Sequence, residues 1–489
     1  MRHLYRLQVI YWRMIVRLVP DARIFEDTGV HPDEEAARMS VGAPVPASAA
    51  MPEDPYAPLR TRRYLGLLAL AALIGAPVCA VAFGFLALVT ELQPLVYTDL
   101  PVALGFHGTP VWWPLPMLAL AGALVGLTVR HLPGHGGHEP AAGFSAGGTP
   151  SLAELPGIVC AALASLGLGA VLGPEAPLIA IGGGLAVGAL RLAARNPDAR
   201  AVAVVGAAGS FAAVSALLGS PLLGAFLLME VSGLAGPLLG TVLAPGLLAA
   251  GTGALIFTGL GDWTGLGTYG LALHDIPRAA APSVVEFGWA LVIGIAAAFA
   301  GAGIRRLALL SKGRVERHRV AGTVVAGLAV AGLAIGYGAG TGREPSEVMY
   351  SGETALEGLL AHSAAYSTAA LASLVVCKAL AYCVSLSAFR GGPIFPAMFV
   401  GAAGGILLSE LPGLTLTAGF AMGVGAMAVA MLKLPMTSVL LATLLLGSEG
   451  LTVMPLVIVA VVISYVVSVR LQPAPAPAGS SPAGSTVRA

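Results

Sequence analysis

Apolar runs follow one another along the chain with little polar relief, near 64–92, 111–130, 155–172, 177–195, 200–217, 221–256, 284–311, 320–339, 367–388, 394–411, 415–432, 435–448 and 451–470. A helix needs about 20 apolar residues to cross a bilayer. Several runs are shorter than that, and Gly and Pro interrupt many of them. Short, broken helices predict a transporter-like bundle whose helix ends point at a site near the midplane. The 65 glycines predict tight helix contacts of the small-xxx-small kind. The expected fold class is an all-α polytopic membrane protein.

Composition supports this pattern. Only 10% of the 489 residues are charged and 57% are hydrophobic, whereas a soluble chain carries about 25% charged residues. The net charge of +1 gives no basic tract for nucleic acid outside the N-terminus. Cys79, Cys160, Cys377 and Cys383 all lie in apolar runs without CxxC spacing, so they read as small buried hydrophobes. His135 and His138, in "PGHGGHEP", read as loop residues rather than metal ligands. No cofactor is expected.

The ends differ from the middle. Arg2, Arg6, Arg13 and Arg17 share one helical face, with Leu4, Leu7, Ile10, Met14 and Leu18 filling much of the rest. Residues 1–20 therefore predict a basic amphipathic helix on the bilayer surface or against a partner. Residues 21–60 are polar and Pro-rich, and the tail 472–489 is of low complexity. Nine basic residues precede Tyr64, six lie in a loop expected at 305–319, and none lies in 92–108. The N-terminus and 305–319 are thus expected in the cytoplasm, with the protein in the plasma membrane.

The apolar region repeats. "GPEAPLIAIGGG" at 173–184 has a counterpart in "GGPIFPAMFVGAAGG" at 391–405. Pro177 is followed 44 residues later by Pro221, and Pro396 is followed 39 residues later by Pro435. Matched breaks predict an inverted repeat, with one half at 61–260 and the other at 284–471, and the site between them.

A helix that begins inside a membrane offers free N–H groups and the positive end of its dipole. Two such ends converging make an anion site with no fixed cation, weak enough to release its ion. Glu175 stands at one of these starts, between Pro174 and Pro177. In a soluble helix it would read as a cap. In a membrane an ionisable group reads as functional, and here as a carboxylate that competes with the anion and lets go when protonated.

These residues carry a resemblance. "GPEAP" (173–177), "GSPLLGAFLLME" (219–230) and "GGPIFPAMFVG" (391–401) resemble, in order and spacing, elements of the CLC family of chloride channels and anion/proton antiporters. The resemblance spans about residues 64–471. It implies the CLC-like inverted repeat, a homodimer with an anion pathway in each subunit, and chloride or another small anion as the partner, with protons as a second. It implies anion contacts at Gly392, Pro393, Ile394 and Phe395 and around Glu175 at Gly173, Pro174 and Ala176, with Gly137 nearby.

The chain also departs from the family pattern. The first anion element matches "GGHEP" (136–140), where Gly137 replaces a serine, or else "AGGTP" (146–150), where Thr149 supplies a hydroxyl. Pro393 has no N–H to donate, and Arg390 precedes this element as a compensating charge or as a vestibule residue. Val231 occupies the place of the family's proton-relay glutamate, beside Glu230. The pore tyrosine near the family's C-terminus has no match. The expected function is anion conduction gated by Glu175, as a channel or a weakly proton-coupled transporter. A strict anion/proton antiporter, for chloride or fluoride, is the alternative. An intramembrane hydrolase fits less well, because nearly all the histidines lie at segment ends or in loops.

Overall fold

The computed structural model describes residues 57–143, 148–194, 196–233, 236–267, 271, 273 and 276–472. The expected surface helix at 1–20 lies outside the described residues, as does the tail from 473 on. The first half contains α1 (Arg62–Pro94), α2 (Pro114–His131), α3 (Leu155–Gly167), α4 (Glu175–Ala193), α5 (Ala199–Leu217), α6 (Pro221–Ser232) and α7 (Gly236–Thr264). The second contains α8 (Val284–Arg317), α9 (Arg319–Thr341), α10 (Ala355–Ala361), α11 (Thr368–Ala388), α12 (Ile394–Ser409), α13 (Leu416–Leu432), α14 (Pro435–Leu445) and α15 (Gly447–Arg470). Among the described residues, nine helices are long and apolar enough to cross a membrane, and α3, α6, α12, α13 and α14 are shorter apolar helices. The chain is an all-α, multi-pass membrane protein.

Three expectations need correction. Residues 305–319 are not a loop, because α8 stays helical to Arg317 and turns directly into α9. At 1.5 Å per residue α8 is about 50 Å long, more than the ~30 Å hydrocarbon layer, so its basic end projects beyond the layer or tilts. The run 221–256 is two helices, because Gly233 takes a left-handed conformation (φ 64°) that ends α6. Cys79 and Cys383 are buried as expected, but Cys377 is half-buried and Cys160 is exposed on the outward side of α3.

Glycine stripes determine which helices touch. Gly401 and Gly405 on α12 lie against the backbone of Gly423 and Gly419 on α13, and Gly182 on α4 lies against Gly209 on α5. In each half the helix after the break thus packs backbone-to-backbone on the next helix. A Cβ on any of these glycines overlaps a facing carbonyl oxygen. Gly404, in the same stretch, has open space instead. Gly405→Ala is therefore expected to cost about 1–3 kcal/mol, the usual range for overpacking, whereas Gly404→Ala costs almost nothing. Thermal unfolding in detergent separates the two, and equal melting points would refute the packing argument.

Helix starts come in two kinds. Thr61, Asp198, Ser220, Ser283 and Ser367 cap α1, α5, α6, α8 and α11 with their own side chains. The starts of α4 and α12 have no side-chain cap, and both lie in the buried interior. Their first amides need other partners.

Candidate functional site

These two buried starts meet head to head. Gly173 and Gly392 form an isolated antiparallel bridge, with the Gly173 N–H donating to the Gly392 carbonyl at 2.8 Å and the Gly392 N–H to the Gly173 carbonyl at 2.6 Å. Two further bonds repeat the relation across the halves. The Val171 N–H donates to Ser385 Oγ at 3.0 Å, and the Arg390 N–H donates to Ser165 Oγ at 3.1 Å. Each donor lies two residues before its bridge glycine. Backbone and hydroxyl groups thus hold the breaks in a fixed mutual register.

Glu175 is the first residue of α4 and is fully buried. Its Oε1 accepts from the Phe395 N–H of α12 at 2.9 Å, and the N–H groups of Ile394 and of Glu175 itself also act on the carboxylate. Among the described residues, its Oε2 has no hydrogen-bond partner. A buried carboxylate is costly unless hydrogen-bonded. Here one oxygen caps a helix start in the opposite half and the other is left open.

Space at this seat comes from the two bridge glycines. A Cβ at Gly173 or Gly392 overlaps the Glu175 carboxylate, and one at Gly392 also comes within 3.1 Å of the Ala176 nitrogen. Neither glycine has a positive φ. The requirement is room rather than backbone freedom.

Pro174 and Pro393 are the residues immediately before α4 and α12. Tyr382 of α11, fully buried, donates its hydroxyl to the Pro393 carbonyl at 2.8 Å. Gly137 has a positive φ of 88° and packs against Ile158, and a Cβ on the adjacent Gly136 would stand 3.3 Å from Arg390 Cγ. The segment 136–140 therefore lies beside the residue that leads into the second break. Thr149 of the rival match is instead wedged between α4 and α5, its methyl 3.2 Å from where a Cβ on Gly183 or Gly206 would stand. Gly183 is about 12 Å along α4 from Glu175.

Arg390 is buried and Glu139 half-buried. The guanidinium Nη2 donates to Glu139 Oε1 at 3.3 Å, and Nε donates to the His135 carbonyl at 3.3 Å. His138 faces the Gly143 carbonyl through Nε2 at 2.6 Å. Glu230 is engaged elsewhere, since its carboxylate accepts from the Met436 and Thr437 N–H groups, both at 2.7 Å, and caps α14. Val231 is half-buried on α6 beside it.

Three groups near the site were missed from the sequence. Lys378 is fully buried within α11 and donates to the Met349 carbonyl at 2.6 Å and the Glu347 carbonyl at 3.1 Å, with Nζ 4.5 Å from the Phe399 ring centre. It anchors the segment between α9 and α10 over the start of α12. Glu353, on that segment, lies close enough for the charge on Glu175 to act on it. Tyr382 is the third. Lys378 carried a visible signal, a cation inside the apolar run 367–388. Glu353 and Tyr382 carried none, because nothing local marks what they face.

A model of the voltage gated chloride channel family matches residues 119–469. YfeO of Escherichia fergusonii, described by its name as an ion-transport protein, is 29% identical over 363 residues, covering 72% of this chain and 81% of its own. YfeO of Escherichia coli matches to the same extent. Among solved structures, a slow cyanobacterial Cl−/H+ antiporter superposes with a TM-score of 0.67 at 17% identity, covering 83% of this chain and 94% of that one. A CLC-type fluoride/proton antiporter gives 0.61 at 18% identity, covering 83% and 96%. A eukaryotic CLC transporter gives 0.62 at 15%, covering 84% and 73%. At these identities the structural likeness is one of fold.

Proposed function

This chain belongs to the voltage-gated chloride channel family, a family of anion transport proteins, and from that premise we propose that it moves chloride or another small anion past Glu175, which acts as a proton-sensitive gate. The observation that carries this reading is the Glu175 carboxylate seated on the Phe395 amide at the uncapped start of α12. An anion crossing between the halves needs the same amides. The charged carboxylate competes with it, and protonation removes the competing charge. The test is an anion panel of chloride, bromide, nitrate and fluoride, run on purified protein in liposomes with and without a pH gradient. Anion flux that rises as pH falls is expected. No flux of any anion at any pH would overturn the proposal.

The pathway works as a channel or a weakly coupled transporter in this reading, because Val231 stands at the relay place and cannot carry a proton. Chloride is expected to move with little stoichiometric proton movement, and Val231→Glu to raise the coupling. A wild-type protein that drives protons uphill at a fixed ratio under a chloride gradient would contradict this. Glu353 favours that second reading of strict exchange, with chloride or fluoride as the anion, since it is another acid on which the Glu175 charge acts.

The assembly is a homodimer in the plasma membrane with the α8–α9 turn in the cytoplasm. Arg305, Arg306, Lys312, Arg314, Arg317 and Arg319 gather around that turn. In a cysteine-free background, Arg314→Cys should react with an impermeant thiol reagent only from the cytoplasmic side. Labelling from outside intact cells would invert the topology.

A further inference from the structure

The segment joining α9 to α10 leaves α9 at Thr341, on the side away from the α8–α9 turn. The 23 residues of α9 make about 34 Å of helix, so this is the outer side in the topology proposed above. Three contacts press the segment inward. Lys378 Nζ holds the Glu347 and Met349 carbonyls. The Tyr350 N–H donates to the Gly169 carbonyl at 3.3 Å, four residues before the bridge glycine Gly173. A Cβ on Gly352 would stand 2.5 Å from the Phe399 ring, one turn beyond Phe395 on α12. Tyr350 takes a positive φ of 58° within this stretch, an uncommon state for a bulky side chain.

Glu353 comes next and is half-buried. It does not serve as a cap, since α10 starts without a side-chain cap. Its N–H donates to Ser351 Oγ at 3.2 Å, but its carboxyl has no hydrogen bond or ion pair to any described residue. The ionisable groups around it are engaged elsewhere. Arg343 pairs with Glu347 at 3.0 Å and lies over the Tyr366 ring, and Tyr337 donates to Glu347. Glu344 accepts from Ser346, and Glu357 of α10 has a contact of its own. Lys378 is taken up by its two carbonyls, Tyr382 by Pro393 and Tyr97 by Leu168, with Tyr350 edge-on to Tyr97. No ionisable side chain lies on α12. Among the described residues, the charge that acts on Glu353 is that of Glu175.

We propose that Glu353 is the outer proton carrier of the gate, taking a proton from the external solution and passing it through water to Glu175 Oε2. This rests on the reading of Glu175 as a proton-sensitive gate. The step balances. An O–H bond breaks on Glu353 and one forms on Glu175, so the pair holds one negative charge before and after. A proton from outside then restores Glu353. The acceptor is the Glu175 oxygen that no described residue occupies. Two neighbouring carboxyls resist double ionisation, which favours one shared proton. Burial, and then the Glu175 charge, pushes the Glu353 carboxyl up to about 8. It therefore holds a proton at neutral pH and has one to give. Val231 offers no such acid at the relay place, so the gate should follow the outer pH.

The test uses full-length protein in oriented liposomes with the inner pH fixed. After a rapid drop in outer pH, chloride flux through the wild type should rise. In Glu353→Gln and Glu353→Ala the rise should be slower by about a hundredfold, the lower end of what a positioned proton-transfer group contributes. Imidazole in the outer solution, a mobile proton carrier, should restore the rate in Glu353→Ala. Wild-type kinetics in both variants would overturn the proposal. A slow rise that imidazole leaves unchanged would also overturn it, since Glu353 would then only support the segment. If neither variant folds, infrared spectroscopy of Glu175→Gln decides: a protonated carboxyl band should persist at neutral pH, and its absence would refute the carrier. Failure of the parent reading looks different, because the wild type itself would then not respond to pH.

Discussion

Glu175→Ala in liposomes is expected to carry anions at a rate that no longer follows pH, and at neutral pH to match or exceed the wild-type rate at acid pH. The wild-type carboxylate holds the Phe395 amide at 2.9 Å from a fully buried position. A hydrogen bond to a charged group contributes about 1.5–3 kcal/mol, which is about ten- to a hundredfold in occupancy of the seat. The sign follows from the competitor's charge. At high pH the carboxylate is ionised, sits on the amides and opposes the anion. As pH falls it is protonated, its hold weakens and flux rises. Glu175→Gln mimics the protonated form and should give the same flat profile, and any proton movement should vanish in both. Ile179→Val, one turn further along α4, should keep the wild-type pH dependence. A Glu175→Ala protein with the wild-type pH profile would reduce this residue to a helix cap.

Gly392→Ala is expected to give the second-largest effect, by a different route to the same result. The new methyl takes the place of the Glu175 carboxylate oxygen. Because φ at this position is negative, alanine fits the backbone and the Gly173 bridge has no conformational reason to break. The carboxylate must leave its seat, so flux at neutral pH should rise by about tenfold, the lower bound set by the lost charged hydrogen bond. Combining Gly392→Ala with Glu175→Ala distinguishes crowding from general damage. Where two changes act through one contact, their effects do not add, so the double variant should behave as Glu175→Ala does. Gly404→Ala, with nothing within 4 Å of its Cβ, is the silent control on the same helix. Additive loss of flux in the double variant would mean that Gly392 supports only the fold.

The ionisable group inside an apolar run was legible because its signal is local. A single carboxylate between two prolines, inside a run of membrane-like hydropathy, marks a break that begins a buried helix. The paired breaks were legible for a similar reason, since Gly and Pro act on the backbone within a few residues. Other features were misread because a run of apolar letters does not record where a helix stops. The basic stretch 305–319 looks like a loop by charge, yet its Leu, Ala and Val positions let α8 continue to Arg317. Cys160 looks like a core residue by type, yet it lies on the face of α3 that turns outward.

The sequence by itself determined that this is a helical membrane protein with two matched helix breaks and a carboxylate at one of them, because hydropathy, backbone punctuation and an isolated charge act over one or two helical turns. Only the tertiary structure decided what that carboxylate rests on. Glu175 meets Phe395 across 220 residues, Arg390 meets Glu139 across 251, and Val171 meets Ser385 across 214. Such partners are chosen by how glycine-lined helices pack and in what register the two breaks face each other. Hydrogen bonds act over about 3 Å, so their partners become visible only once the packed helices have brought them that close.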